Sequence, residues 1–139
     1  STGIATLETQ APDWETWDKS HLSHSRLVCL IDERVAGWVA LSAASTRQVY
    51  NGVAEISIYI HPSFKGTGMG FVLLDKVISE SEENGIWTLQ ANIFEQNKAS
   101  IRLHEKAGFR KVGYREKIGK IDDQWFNITF FEKRSKNII

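Results

Sequence analysis

The period of the hydrophobic pattern changes several times along the chain, and each change marks an element. VAEISIYI (53–60) alternates apolar and polar positions without a break, which predicts a strand, and Pro62 ends it. RLVCLI (26–31), the polar DER and VAGWVALS (35–42) read as two antiparallel strands joined by a turn. AASTRQVYNG (43–52) between them and the alternating run reads as a loop. From Gly68 to Asn84 the period becomes helical: Phe71, Leu74, Val77 and Ile78 share one face, Asp75, Glu82 and Glu83 lie elsewhere, and the Asn84–Gly85 pair supplies a stop. WTLQANI (87–93) is a further strand. NKASIRLHEKAG (97–108) is a helix with Asn97 as its N-cap and Gly108 beyond its end. KVGYREKI (111–118) and QWFNITFFEK (124–133) are strands joined by a turn around IDD. Near the start, APDWETWDKSHL (11–22) carries the helix-start signals Pro12 and Asp13, with Trp14, Trp17 and Leu22 as apolar positions. The order helix, three strands, helix, strand, helix, two strands predicts an α/β fold on a mixed sheet.

Composition narrows the function. The 139 residues form a single domain (1–139) with no linker, repeat or low-complexity stretch, and 42% hydrophobic residues supply its core. With 17 basic and 17 acidic residues the formal net charge is zero, so nothing attracts a nucleic acid or an anionic membrane in bulk. A basic site has to be local. The single cysteine, Cys29, excludes an intrachain disulfide framework and a multi-cysteine metal site, and its strand context makes it a small buried hydrophobe. His21, His24 and His61 share no metal-ligand spacing, and no metal is expected. No run reaches the roughly 18 apolar residues of a membrane span, and no secretory signal opens the chain; a cytoplasmic location is the expectation.

The candidate chemistry starts at HPSFKGTGMGFVLL (61–74), where Gly66, Gly68 and Gly70 alternate between a strand and a helix. A helix N-terminus exposes unpaired N–H groups with positive partial charge, and glycines let an anion come close. Lys65 adds a charge at the rim. The alternative is a plain turn. A Walker A loop is excluded because no Gly-Lys followed by Ser or Thr is present, and G-x-G-x-x-G is excluded because GTGMG closes one residue early. Strand alternation sets Val53, Glu55, Ser57 and Tyr59 on one face of 53–60 and Ala54, Ile56, Ile58 and Ile60 on the other. Glu55 is then either a base lining a cleft or a solvated carboxylate. Asn97, Ile101 and His104 share one helix face, and His104 is either chemically active or a surface or capping residue. Trp14, Trp17, Trp38 and Trp87 read as packing residues.

The pattern Lys65-x-x-Gly68-x-Gly70 following IYIHP resembles the pyrophosphate-binding signature of the GNAT superfamily of acyl-CoA N-acyltransferases, where Arg or Gln more often stands at the position of Lys65. IFEQNKASIRLHEKAGFRKVG (93–113) is similar to that superfamily's second cofactor segment. Five stretches resemble the phosphinothricin acetyltransferase-like branch: TGIATLET (2–9), STR with Tyr50 (45–50), VAEISIYIHP (53–62), NKASIRLHEKAGF (97–109) and QWFNITFFEK (124–133). The resemblance implies the GNAT fold, a mixed central sheet flanked by helices. The strand and helix that normally precede the equivalent of TGIATLET are missing, so the domain reads as N-terminally incomplete. It also departs from the branch at Asn127, usually Asp, in the substrate pocket.

What the resemblance implies for function is an N-acetyltransferase that uses acetyl-CoA. Its acceptor would be the α-amino group of a small amino-acid-like substrate of the phosphinothricin, methionine sulfone or sulfoximine type, with direct transfer in a ternary complex. Glu55 would take the amine proton, and His104 would give a proton to the leaving thiolate or order the cofactor thiol. Cofactor contacts would come from the backbone of Ile58, Tyr59 and Ile60, from Lys65, Gly66, Thr67, Gly68, Met69, Gly70 and Phe71, and from Asn97 and Lys106. Arg47 would bind a substrate carboxylate, with Tyr50, Leu7, Glu8 and Trp125 as walls or polar contacts. Other readings are an acetyltransferase for a peptide N-terminus or polyamine, or a catalytically silent acyl-CoA-binding module. A homodimer is expected by analogy only.

Overall fold

The alternating run at 53–60 becomes the strand around which the sheet is built. In the computed structural model, which describes residues 14–139, the elements are α1 (Trp14–Ser20), β1 (Leu27–Ile31), β2 (Arg34–Ala43), β3 (Val53–Ile60), α2 (Met69–Glu83), β4 (Thr88–Phe94), α3 (Lys98–Lys106), β5 (Arg110–Ile121) and β6 (Gln124–Arg134). Segment 2–9 with Leu7 and Glu8, and the helix-start signals Pro12 and Asp13, lie outside the described residues. The strands form one sheet in the order β1-β2-β3-β4-β6-β5, parallel between β3 and β4 and antiparallel elsewhere. The mixed sheet expected from the order of elements is present. Two tight turns close its hairpins with both central residues left-handed, Asp32 and Glu33 (φ 51° and 64°) and Asp122 and Asp123 (φ 48° and 64°). That geometry matches the twist of the flanking strands, and Asp tolerates it better than most residues.

The apolar side of β3 lies under α2. Ala54 and Ile56 are buried with Val39 and Leu41 of β2, Leu89, Ala91 and Ile93 of β4, and Leu73, Leu74 and Val77 of α2. Cys29 packs partly buried at the margin of this cluster, as its strand position suggested. The buried stripe of α2 is Met69, Leu73, Leu74, Val77 and Ser81, so the expected core face is rotated. Phe71 leaves it and turns toward α3, where the Lys106 ammonium sits 4.7 Å from its ring centroid. Ser81 is tolerated in the core because its hydroxyl donates to the Ile78 carbonyl at 2.8 Å.

The other side of β2 and β3 carries a chain of rings. Trp17 of α1 stacks on Trp14 (5.5 Å) and meets Trp38 edge-on (5.8 Å), and Trp38 reaches Tyr59 at 6.4 Å. The helix has no buried residue, so these ring contacts attach it to the sheet. At the opposite end of β3, the Gly52 carbonyl accepts the N–H groups of Trp87 (2.7 Å) and Thr88 (3.1 Å). A Cβ on Gly52 would lie 2.0 Å from the Trp87 ring. Only glycine allows this approach, which starts β3 and β4 side by side.

Candidate active site

β3 and β4 pair at three rungs only, Val53–Thr88, Ala54–Leu89 and Glu55–Gln90. Beyond the last rung the strands part. β3 continues to Ile60 on its pairing with β2, and β4 continues to Phe94 on its pairing with β6. Among the described residues the facing edges at 56–60 and 91–94 have no partner strand, and edge N–H and C=O groups need hydrogen bonds from elsewhere. The result is a wedge-shaped gap in the sheet. Ile58, Tyr59 and Ile60 lie along one of its edges.

Glu55 sits on the last closed rung, at the apex of the wedge. The residue is half-buried, on the side of the sheet away from α2, and Oε1 accepts from the Asn92 amide at 3.1 Å in an exposed hydrogen bond. Gln90 and Asn92 are exposed on that same side, while Leu89, Ala91 and Ile93 face the core. Glu55 is therefore on the face away from α2, at the point where the gap opens.

The glycine loop lies past the far end of β3. The Ile60–Lys65 connection is held by the His61 N–H to Ala36 O (2.8 Å), by His61 Nδ1 accepting from the Ser63 N–H (3.1 Å), and by the Thr67 hydroxyl donating to Phe64 O (2.6 Å). Gly66 and Gly68 adopt φ of 79° and 84°, and Gly68 caps α2. A Cβ on either would meet nothing within 4 Å, so the backbone conformation, not crowding, calls for glycine, and the space in front of the loop is open. The first-turn N–H groups of α2 face that space without intrahelical acceptors. Lys65 is exposed at its rim, whereas the Met69 side chain is buried in the core. A Cβ on Gly70 would lie 3.1 Å from Leu103, which shows how closely α3 approaches the loop.

Asn97 caps α3, its Oδ1 accepting from the Ser100 N–H at 3.2 Å. His104 is buried at 2% exposure; Nδ1 donates to the Ser100 carbonyl at 2.8 Å, and the ring lies edge-on to Phe109 at 5.1 Å. Burial pushes its pKa below the ordinary 6.5, with the Ser100 hydrogen bond acting the other way. At neutral pH the ring is neutral and its N–H is committed to the backbone. It is neither a surface nor a capping residue.

The expected substrate contacts are not gathered in one cavity. Arg47 and Tyr50 are exposed on the 44–52 loop, with the guanidinium 5.7 Å from the Tyr50 ring centroid, and Ala44 N bonds to Val53 O at 3.1 Å. They belong to the closed end of the wedge. Arg47 takes part in none of the ion pairs among the described residues. Trp125 lies at the other end of β4, where it lines a cavity of about 270 Å³ with Glu95, Gln96, Lys98 and Asn127.

Sequence reading missed Asn92 and Glu95. Asn92 falls on a polar position of an alternating strand, and only the hydrogen bond across the β3–β4 gap shows that it meets Glu55. Glu95 accepts from the Asn127 amide at 2.7 Å, while Asn127 Oδ1 accepts from the Lys117 N–H at 2.8 Å. Asn127 therefore donates on one side and accepts on the other. An aspartate there could accept from Lys117 but would set a second carboxylate against Glu95, which gives a physical reason for asparagine at this position.

The acetyltransferase (GNAT) family profile matches residues 4–109. The chain belongs to the GNAT acetyltransferase family. YwnH of Bacillus subtilis (strain 168) is 34% identical over 114 residues, 81% of this chain and 70% of that protein. An L-methionine sulfoximine/L-methionine sulfone acetyltransferase of Salmonella typhimurium is 32% identical over 98 residues, 70% of this chain and 57% of that protein. The structure of yncA from Salmonella typhimurium, solved with its cofactor acetyl-CoA, superposes with a TM-score of 0.86 at 27% identity, covering 94% of this chain and 78% of that one. As a GNAT domain, the chain is an acetyl-CoA-dependent N-acetyltransferase. Its own residues fit that cofactor: open space before two left-handed glycines, free N–H groups at the start of α2, and a slot with unpaired backbone edges. None of its described helices is long and apolar enough to cross a membrane.

Proposed function

We propose that this GNAT domain acetylates the α-amino group of a small amino-acid-like substrate, of the phosphinothricin or methionine sulfone/sulfoximine type, by direct transfer in a ternary complex. The observation that carries the reading is Glu55 on the last closed rung of the β3–β4 wedge. Bound acetyl-CoA supplies the acetyl group as an activated thioester. Backbone N–H groups of residues 66–71 would hold its pyrophosphate, with Lys65 adding charge, and Ile58–Ile60, Asn97 and Lys106 would line the path of its arm.

An α-ammonium is the dominant form at neutral pH and has no lone pair with which to attack. Glu55 takes that proton, directly or through a water, a contribution of about 10²–10⁴-fold. Arg47, exposed and without a carboxylate partner among the described residues, binds the substrate carboxylate beside Tyr50. Trp125, in its own cavity past the end of β4, is not assigned to this acceptor site. A neutral imidazole committed to a backbone carbonyl is a poor acid, so the burial of His104 against Phe109 favours packing of α3, and of its two proposed roles the ordering of the cofactor thiol over proton donation.

The test is thiol release from acetyl-CoA with a panel of phosphinothricin, methionine sulfone, methionine sulfoximine, a polyamine and a peptide N-terminus. Turnover with the amino-acid analogues is expected. Turnover only with the polyamine or the peptide would reassign the acceptor. Cofactor binding without thiol release from any amine would mean a silent binding module.

A further inference from the structure

We propose that Asn92 is a positioning residue for the Glu55 base; this rests on the proton-acceptor reading of Glu55. The backbone ladder between β3 and β4 stops at Glu55–Gln90. Asn92 is the next residue of β4 on the same side of the sheet, at the point where the strands have already parted. Its Nδ2 donates to Glu55 Oε1 at 3.1 Å, so a side-chain hydrogen bond crosses the gap where the backbone bonds end.

A glutamate on an open sheet face is free to rotate about its side-chain torsions, and a base has to be held within hydrogen-bond reach of its proton. One amide donor fixes Oε1. Oε2 has no partner among the described residues and keeps its lone pairs for an ammonium or a bridging water. The chemistry of the donor matters as much as its place. A lysine or arginine at position 92 would neutralise the carboxylate and repel the incoming cation, whereas a neutral amide orients the carboxylate and leaves its charge available. On the flanking strands the register places uncharged Ser42 of β2 and Gln90 of β4 beside Glu55. The charged and titratable side chains on this side include Tyr59 further along β3, Glu132 of β6, opposite Gln90 and ion-paired with Arg110 at 2.7 Å, Arg134 of β6, opposite Thr88, and Arg115 of β5, whose guanidinium lies 4.4 Å from the ring centroid of Phe130 opposite Asn92. Asn92 is thus the side chain bonded to the base.

Four proteins test this: Asn92→Ala, Asn92→Asp, Glu55→Gln and the double variant Glu55→Gln/Asn92→Ala, each checked for folding by circular dichroism. Asn92→Ala should lower kcat about tenfold at unchanged KM for acetyl-CoA. It should cost nothing further in the Glu55→Gln background, because a residue that acts through Glu55 has nothing left to position. Asn92→Asp should move the acidic limb of kcat/KM to higher pH, since two carboxylates in contact disfavour a second charge. The same shift should be seen in the ¹³C titration of the Glu55 carboxyl in cofactor-free protein, which needs no turnover. If Glu55→Gln is impaired while the Asn92 variants keep parental kcat and titration, or if the losses add in the double variant, the positioning role is overturned and the base stands. If Glu55→Gln keeps the parental pH–rate profile, the base reading falls and this inference with it.

Discussion

Burying the His104 imidazole against Phe109 removes the water that would solvate its charged form, and the Ser100 carbonyl only partly offsets that loss. The folded pKa therefore lies below the unfolded value of 6.5. Above about pH 6.5 both states are neutral and the site makes stability no steeper in pH; below it the unfolded chain takes up a proton that the fold resists, and stability falls. His104→Gln removes the titrating group. Between pH 7.5 and 5.5 its melting temperature should drop less than the parent's, each compared with its own value at pH 7.5. Parallel drops in the two proteins would contradict this account of the histidine. Arg47 is read by a different measurement. Arg47→Ala should raise KM for an amino-acid substrate far more than for the matching decarboxylated amine; an equal rise for both would mean that the side chain shapes the 44–52 loop and does not bind a carboxylate.

At the scale of elements, the loop from β3 into α2 joins two requirements in one short stretch. Gly68 must be left-handed (φ 84°) for the chain to enter the helix, and the space before it must stay open for a ligand. A β-branched residue at such a φ is a steric outlier, costing about 1–2 kcal/mol before any ligand is present. Gly68→Val should weaken acetyl-CoA binding in calorimetry more than amine binding; a folded variant with parental cofactor affinity would rule the loop out as the phosphate site. Much at this scale was legible in the sequence because each signal is local. The alternation of 53–60, the Asn97 cap, the Gly108 end and the DER and IDD turns act on their own neighbours, and each element formed where its signal stood. The orientation of α2 was less legible. Phe71 and Leu73 both suit a helix facing a core, and the contact with Lys106 of α3 decides which one turns away.

At the scale of the whole molecule, the wedge belongs to the single parallel contact among the described strands, joined by α2 as its crossover. Gly52 and Trp87 hold its closed end, and the glycine loop and the start of α3 lie at its open end. No local pattern records that two neighbouring strands part after three rungs, nor that β6 inserts between β4 and β5. For that reason the face of Glu55 could be read from alternation, while its place at the apex and its bond to Asn92 could not. The resemblance to GNAT enzymes named the cofactor and the family, which residues 4–109 match; the structure shows where on this chain the slot opens. On the proposed reading, the carboxylate at the apex removes the proton from the acceptor amine. The most direct test is the pH dependence of kcat for folded Glu55→Gln with a methionine sulfone acceptor, alongside acetyl-CoA affinity by calorimetry. A fall of about 10²–10⁴-fold at neutral pH is expected, with near-normal cofactor affinity and partial recovery at high pH as free amine accumulates. A pH–rate profile matching the parent's would contradict that reading.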